Sequence, residues 1–368
     1  MNHCLFISHA RGLHGAEAVM LRAIKACTQK GAKVTVVLPS ILPDNGLAKS
    51  LAILDNTTAI TLPYRAAGKN TIRTALVRLY NLYALFRLAC LVRREHIDTI
   101  YSNTSITILG ADLARLTNTR HIWHFHEPVD TAYGWHQSLK GLYRRLVQRA
   151  NTLVCISHAQ QQEWENALGL TLSNAQVIYN PIKPILANPL PHKGIRIGYI
   201  GHFEPRKNLP LLAQVFSRRY RDDTETQLWL CGAKNEAEIQ ATKNLFANAT
   251  SEVVILPQTD QVADFYNQID ILVLPSWRET MPLVVFEAMQ AGVCVLQTDQ
   301  SGMKELLQDR RETLFFSPHE PETLASLLQE CLDADFRHRI AAAGQAKVQQ
   351  LIQNNAFDQQ IATLLCAS

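Results

Sequence analysis

Residues 271–302 read ILVLPSWRETMPLVVFEAMQAGVCVLQTDQSG, and this stretch decides the fold. Two short apolar runs, 271–274 and 293–296, flank a segment of helix length. Neither run alternates polar with apolar residues, which is the pattern of parallel strands buried on both faces. Pro275 and Ser276 turn the chain out of the first run, and Pro282 fits the first turn of a helix. Strand, helix and strand in that order form the repeating unit of a doubly wound α/β sheet.

The same alternation runs outward in both directions. Toward the N-terminus, strand candidates fall at 4–7, 33–38, 59–62, 99–101, 121–123, 153–155 and 177–178. A second series falls at 195–200, 227–230, 252–255, 271–274, 293–296 and 314–316. Between the two series, residues 180–193 hold Pro181, Pro184, Pro189 and Pro191, which break helices and stiffen a connector. The expectation is therefore two doubly wound sheets. Ligands of such sheets sit beyond the C-terminal strand ends, so two of them are expected to face a shared cleft.

The loops after those strands carry the polar chemistry. In the opening stretch, the free N–H groups of a helix starting near Pro282 can hold an anion. Glu279 precedes that helix and Glu287 lies on it, and carboxylates accept hydrogen bonds from sugar hydroxyls. Glu287 sits among Val285, Phe286, Ala288 and Met289, and an acid in such company needs a partner. Residues 201–208, GHFEPRKN, join a turn glycine to two adjacent cations and a helix start. That suits a diphosphate, which draws on helix N–H groups and Lys/Arg charge together. The loop 11–17, RGLHGAE, lacks the third glycine of a dinucleotide fingerprint, and on spacing alone it reads as a tight turn. In 124–128, HFHEP, the two histidines are expected on opposite sides of the extended segment, so that one metal ion would not take both. His126 at a strand end is a candidate acid/base or hydrogen-bond donor, and His124 reads as structural.

Length, composition and charge bound these readings. The 368 residues suit two ordinary domains, and 47% hydrophobic content fills real cores. No apolar run reaches ~18 residues, and MNHCLFISHARG lacks the features of a signal peptide, so an intracellular chain without a membrane-spanning helix is expected. Eight scattered cysteines without a CxxC pair fit buried thiols in a reducing compartment rather than a zinc site. Residues 1–185 carry 20 Lys/Arg against 10 Asp/Glu, whereas residues 186–368 carry 16 against 22. The basic half is expected to meet something anionic. From Asp55 to Glu95 there is no acid in between, but there are Arg65, Lys69, Arg73, Arg78, Arg87, Arg93 and Arg94. Residues 71–94 read as one helix, either a solvated face packed by its apolar stripe or a membrane-surface element.

The spacing of Glu279 and Glu287 is the E-x7-E pattern of retaining glycosyltransferases, and LPSWRETMPLVVFEAMQAGVCVLQTDQSG closely resembles the donor-binding segment of glycosyltransferase family 4. GHFEPRKN resembles the family's phosphate loop, GLHGAEAVML its N-terminal G-G-x-E loop, and VCISHAQQQ with VIYNPI the end of its acceptor domain. The resemblance covers nearly the whole chain. It implies a GT-B fold of two Rossmann-like domains: an acceptor domain over 1–182, a Pro-rich linker over 183–193 and a nucleotide-sugar domain over 194–368, whose last helix packs back on the first domain. It also implies retention of configuration with no required metal and no cofactor beyond the nucleotide-sugar substrate. By position, Lys207 would bind the donor diphosphate with Gly201, His202 and Arg206 around it, Glu287 the ribose and Glu279 the transferred sugar. Backbone N–H groups of Met281 and Leu283, beside Thr280 and Pro282, would assist the phosphates. Gly15 would allow close approach, and His126 would match the family's active-site histidine. Three positions depart from the pattern: His202 stands where Arg is frequent, and His14 and Thr280 where Gly is common.

The implied activity is hexosyl transfer from a UDP- or GDP-sugar to a glycan or lipid-linked acceptor in bacterial-type cell-surface polysaccharide synthesis, lipopolysaccharide included. The expected setting is the cytoplasm, at the inner face of the cytoplasmic membrane. Other classes are a different GT-B enzyme, such as a nucleotide-sugar epimerase or glycogen-type synthase, and a non-enzymatic sugar- or nucleotide-binding protein. A nucleic-acid-binding protein lacks support, because no recognisable module or stacking platform accompanies the basic half.

Overall fold

The structure is a computed structural model that describes residues 2–13, 15–43, 46–66, 70–129, 137–221 and 223–367, with the side chains of 137–139 left aside. His14 and Lys69 therefore lie outside the described residues. The chain forms two compact units, residues 1–181 with 356–368 and residues 182–355.

In the first unit the elements run β1 (His3–Ile7), α1 (Gly15–Gln29), β2 (Lys33–Pro39), α2 (Leu47–Ala52), β3 (Thr57–Leu62), α3 (Thr71–Tyr80), α4 (Leu82–Arg94), β4 (Thr99–Ser102), α5 (Leu109–Thr117), β5 (Arg120–Phe125), α6 (Gln137–Arg149), β6 (Thr152–Cys155), α7 (His158–Leu168) and β7 (Ala175–Val177). All seven strands are parallel, in the order β3-β2-β1-β4-β5-β6-β7. The second unit runs β8 (Ile195–Ile200), α8 (Leu209–Arg219), β9 (Thr226–Ala233), α9 (Glu236–Leu245), β10 (Val253–Pro257), α10 (Val262–Tyr266), β11 (Ile271–Leu274), α11 (Leu283–Gln290), β12 (Cys294–Thr298), β13 (Leu314–Phe316), α12 (Pro321–Glu330) and α13 (Ala334–Gln353). Its sheet order is β10-β9-β8-β11-β12-β13, again all parallel. Each sheet starts from its first strand, winds outward one way, then reverses between its first and fourth strands, which is the Rossmann order. The thirteen strand candidates are all strands, three of them with both ends as expected and the rest with ends shifted by at most three residues.

Apolar strands buried on both faces explain the sheets. β11 is ILVL with every residue buried, and the side chains of β8, β9 and β12 close a core with Leu212, Phe216 and Leu328 from the flanking helices. In the first unit, Trp123 packs on Phe125 and Tyr143 while its indole N–H donates to Thr104 O at 2.7 Å. Residues 182–193 form no helix or strand, and they are tied to the second unit by Ile185 N–H to Gln290 Oε1 (2.9 Å) and Leu190 N–H to Asn267 O (2.7 Å).

One expected helix is two. α3 and α4 bend by 52° about Asn81. Asn81 is buried, and its amide makes a double hydrogen bond with the Arg65 backbone, N–H to Oδ1 and Nδ2 to O, both 2.9 Å. That pairing fixes the break where apolar periodicity alone would run on. Among the described residues, no single helix is long and apolar enough to cross a membrane.

The last helix, α14 (Phe357–Cys366), belongs to the first unit. Phe357, Ile361, Ala362 and Leu365 are buried in the core formed by Cys4, Phe6, Ala23 and Cys27, and Arg22 pairs with Asp358 at 2.6 Å. Replacing Ile361 by Ala leaves a cavity there, and about 2–4 kcal/mol should be lost from the first unit's unfolding free energy in urea. An unchanged midpoint would mean that α14 contributes nothing to that core.

β5 brings two buried histidines into the same unit. Burial pushes the His121 imidazole down to about 3 and holds His124 well below its usual value. Their neutral forms are favoured in the folded chain, so their contribution to stability is present above ~6.5 and lost as pH falls below it toward the folded values. Acid unfolding followed by Trp123 and Trp164 fluorescence should therefore begin below pH ~6.5, and His121→Asn should flatten that slope.

Candidate active site

In the second unit, the residues after β8 and β11 converge at the switch point of the sheet. The chain leaves β8 through Gly201, whose φ of +143° lies where residues with a Cβ are strained. A Cβ on Gly232, at the end of the neighbouring strand, would stand 2.0 Å from Gly201 O, so the two backbones pass too closely for any side chain. His202 O accepts from Tyr199 Oη at 2.9 Å, which fixes the loop. A single 3-10 turn, Pro205–Lys207, follows, and α8 starts after the left-handed Asn208 (φ +52°). This turn aims Arg206 and Lys207 at the loop after β11.

Glu279 is the meeting point. Its Oε1 lies 2.6 Å from Lys207 Nζ and accepts from Ser276 Oγ at 2.6 Å, while Arg206 Nη1 approaches both carboxylate oxygens at 3.4 Å. The Glu279 backbone is held by its N–H to Gln300 O at 2.9 Å. Burial works against the charge of Glu279, but Lys207 and Arg206 outweigh it and hold the carboxyl below the usual range. Two cations against one carboxylate leave a surplus positive charge at a strand end, where an anion can settle.

Three residues on, Pro282 stands just outside α11 as its capping residue, one position before the first turn in which the sequence placed it, and the helix opens at Leu283. Met281 is buried, and the half-buried N-terminal end of α11 presents the N–H groups that no helical carbonyl can reach. One turn later Glu287 finds the partner its apolar surroundings required: Tyr266 Oη donates to its Oε2 at 2.9 Å. Burial raises the Glu287 carboxyl, against the lowering effect of Tyr266 and Lys183. Gly201, His202, Arg206, Lys207, Glu279, Thr280, Met281, Pro282, Leu283 and Glu287 thus all belong to one unit and one end of its sheet. Ser276 and Tyr266 are contacts that the sequence reading missed. Ser276 was legible only as a turn, and nothing in the sequence links Tyr266 to Glu287 across 21 residues.

His126 and Gly15 belong to the first unit and gather at its own switch point, after β5 and β1. His126 Nε2 lies 3.3 Å from Asn103 Oδ1, and Asn103 Nδ2 donates to Ala16 O at 3.1 Å, so Asn103 joins the loop after β4 to the start of α1. Burial, with help from His9, pushes the His126 imidazole down to about 3. The rings of His124 and His126 pack together, tilted by 37° with centroids 4.0 Å apart, which corrects their expected placement on opposite sides. Residues two apart on a strand share a face. His124 is structural, as expected: Tyr101 Oη shares a hydrogen bond with its Nδ1 in the core. Glu17, the glutamate of the G-G-x-E loop, is fully buried and pairs with His9 Nδ1 at 3.1 Å. A Cβ on Gly15 would meet open space, so nothing in its own unit demands glycine there.

Two family models match the chain: "Glycosyltransferase Family 4" over residues 13–184 and "Glycosyl transferases group 1" over residues 194–334. The chain belongs to glycosyltransferase family 4. It is 25% identical over 187 residues to the D-inositol 3-phosphate glycosyltransferase of Salinispora tropica, covering 48% of this chain and 38% of that protein. The match therefore spans well under two thirds of that relative's length. Among solved structures, Anabaena HepE in complex with UDP-glucose superimposes with a TM-score of 0.80 at 18% identity over the whole of both chains. The lipopolysaccharide outer core galactosyltransferase WaaB follows with 0.72 at 16% identity over 99% of each. These likenesses place both units in the GT-B fold.

The opposite environments of the two carboxylates predict opposite pH behaviour. Because the Glu287 carboxyl is raised, its contribution to stability is full below the usual carboxylate value of ~4.3 and is lost as pH rises through the raised value. Glu287→Gln should therefore unfold at a higher temperature than the parent at neutral pH, with the gap closing below pH ~4. A constant gap across that range would show that burial of the charge is not its cause.

Proposed function

We propose that this glycosyltransferase moves a hexosyl group from a UDP- or GDP-linked donor to a glycan or lipid-linked acceptor in cell-surface polysaccharide synthesis, with retention of anomeric configuration. One observation carries the reading: Lys207 and Arg206 converge on Glu279 with surplus positive charge, just ahead of the open N-terminus of α11. HepE, which binds UDP-glucose, and WaaB, a lipopolysaccharide outer core galactosyltransferase, support the donor class and the pathway by analogy of fold. The basic first half suits an acceptor carried at an anionic membrane surface.

The diphosphate is a leaving group that gains negative charge as its bond to the sugar breaks. Lys207, Arg206 and the N–H groups of Met281 and Leu283 would stabilise that charge, beside the Gly201–His202 turn and Thr280–Pro282. Glu279, held ionised, would accept hydrogen bonds from hydroxyls of the transferred sugar, and Glu287 from those of the ribose. Neither serves as a glycosidase acid, since each is committed to binding. The acceptor hydroxyl would attack the anomeric carbon from the face that the diphosphate leaves. The acceptor C–O bond forms, the donor C–O bond breaks, and a phosphate oxygen takes the proton. His126, neutral at pH 7, would offer a hydrogen bond to the sugar or its oxocarbenium-like state rather than a charge. Charge compensation by side chains and helix N–H groups leads us to expect nucleotide binding without added magnesium.

Thermal shift with UDP and with GDP, each with and without magnesium, tests the donor site. The matching diphosphate should raise the unfolding temperature by mass action without metal. Lys207→Ala should abolish that shift and lower transfer by about 10²–10³-fold while the fold persists by circular dichroism. Near-normal turnover in Lys207→Ala would overturn the assignment.

A further inference from the structure

The α3–α4 elbow of the first unit turns a long apolar stripe to solvent. Ile72, Leu76, Leu79, Tyr83, Phe86 and Cys90 recur every three or four residues, and all are exposed. The highest values are 74% for Ile72 and 66% for Phe86. The opposite side is where this unit's core lies: Ala84, Leu88, Ala89 and Val92 of α4 are buried against Leu5, Ile100 and Leu113. The pair is thus apolar on both sides, and only one side is used for folding. A large exposed apolar patch in a folded chain marks a surface that something covers.

The charges around the stripe say what covers it. The 39 residues between Asp55 and Glu95 hold seven cations and no acid. Arg73, Arg87, Arg93 and Arg94 are exposed on the elbow itself. Arg87 Nη1 donates to Tyr83 Oη at 2.9 Å, and the Arg65 guanidinium lies 5.4 Å over the Tyr80 ring, so cations and aromatic rings alternate along one surface. A second copy of the chain on this stripe would bring arginine against arginine, because the nearest acids, Asp112 and Glu95, are already paired with Arg78 and with Lys33 and Arg94. An acyl-chain surface rimmed by phosphates answers both features at once. Crossing the bilayer is not the fit: the pair bends by 52°, and one side of α4 is committed to the core.

We propose that the α3–α4 elbow is a membrane-docking surface that lies in the interface of an anionic phospholipid bilayer, with Leu76, Leu79, Tyr83 and Phe86 entering the acyl boundary and the arginines meeting lipid phosphates. It gives a place to the membrane-side acceptor proposed above, but rests on the first unit alone. Two hydrogen bonds between Asn81 and the Arg65 backbone hold the bend, and Arg78 clamps α3 to Asp112 of α5 at 2.6 Å, so the surface is pre-formed.

The full chain is sedimented with vesicles of phosphatidylcholine alone and with vesicles containing about one third phosphatidylglycerol. Binding is expected only to the anionic vesicles, falling as salt rises. Leu79→Ser with Phe86→Ser should lower the partition coefficient at least tenfold. Arg73→Gln with Arg87→Gln should lower it about fivefold per charge. Ile53→Ser, equally exposed but off the elbow, should leave it unchanged. A polarity-sensitive maleimide on Cys90, the one exposed cysteine of the eight, should shift to the blue on the same vesicles. UDP and GDP thermal shifts on the same variants separate this surface from the donor site: they should persist when vesicle binding is lost. The proposal is overturned if the parent ignores anionic vesicles at low salt, if the elbow variants bind as the parent does, or if those variants instead split a lipid-free dimer.

Discussion

A parallel sheet covered on both faces admits little charge along its strands. That constraint organises both units. β11 can be four apolar residues and nothing else, so every group able to bind an anion must gather in the loops at the strand ends. The reversal of strand order then separates two of those loops and leaves a place between them. In the second unit the place is filled by Lys207 after β8 and Glu279 after β11. In the first unit, the loops after β1, β4 and β5 bring Glu17, Asn103 and His126 to the equivalent end.

The two glutamates show how environment divides like residues. Both are carboxylates on one short segment, and both lose water. Glu279 meets two cations and a serine hydroxyl, and the charge is retained. Glu287 meets a single tyrosine hydroxyl, and its protonated form gains. The first arrangement is an ion pair whose two cations an incoming anion can share. The second keeps a polar anchor in an otherwise apolar wall, where hydrogen bonding to a hydroxyl-bearing ligand is not contested by water.

Much of this was legible beforehand because it depends on short-range pattern. Unalternating apolar runs marked all thirteen strands, and the glycine, proline and cation punctuation after them marked the loops that carry Lys207 and Glu279. What the sequence could not carry was long-range. Ser276 and Tyr266 became partners only once β11, α10 and α11 were folded against each other. The bend at Asn81 was hidden because its cause, the Arg65 backbone, lies 16 residues away. The histidine pair was misplaced for a different reason: the period of a strand is two, so His124 and His126 had to share a face.

Periodicity also fails to say which way an amphipathic helix faces, and the elbow makes that failure informative. The fold buries the amide of Asn81 while Leu79 and Leu82 on either side of it point to water. An inversion of this kind is unfavourable for an isolated chain, since exposed apolar area costs ~25 cal/mol per Å². The core cannot take the outer stripe, because α4 already fills its share with Ala84, Leu88, Ala89 and Val92. The two Asn81 hydrogen bonds compensate the buried amide, but they do nothing for the leucines. On the proposed docking surface, a second apolar phase outside the protein would offset their cost, and the surrounding arginines suit one whose boundary is negatively charged.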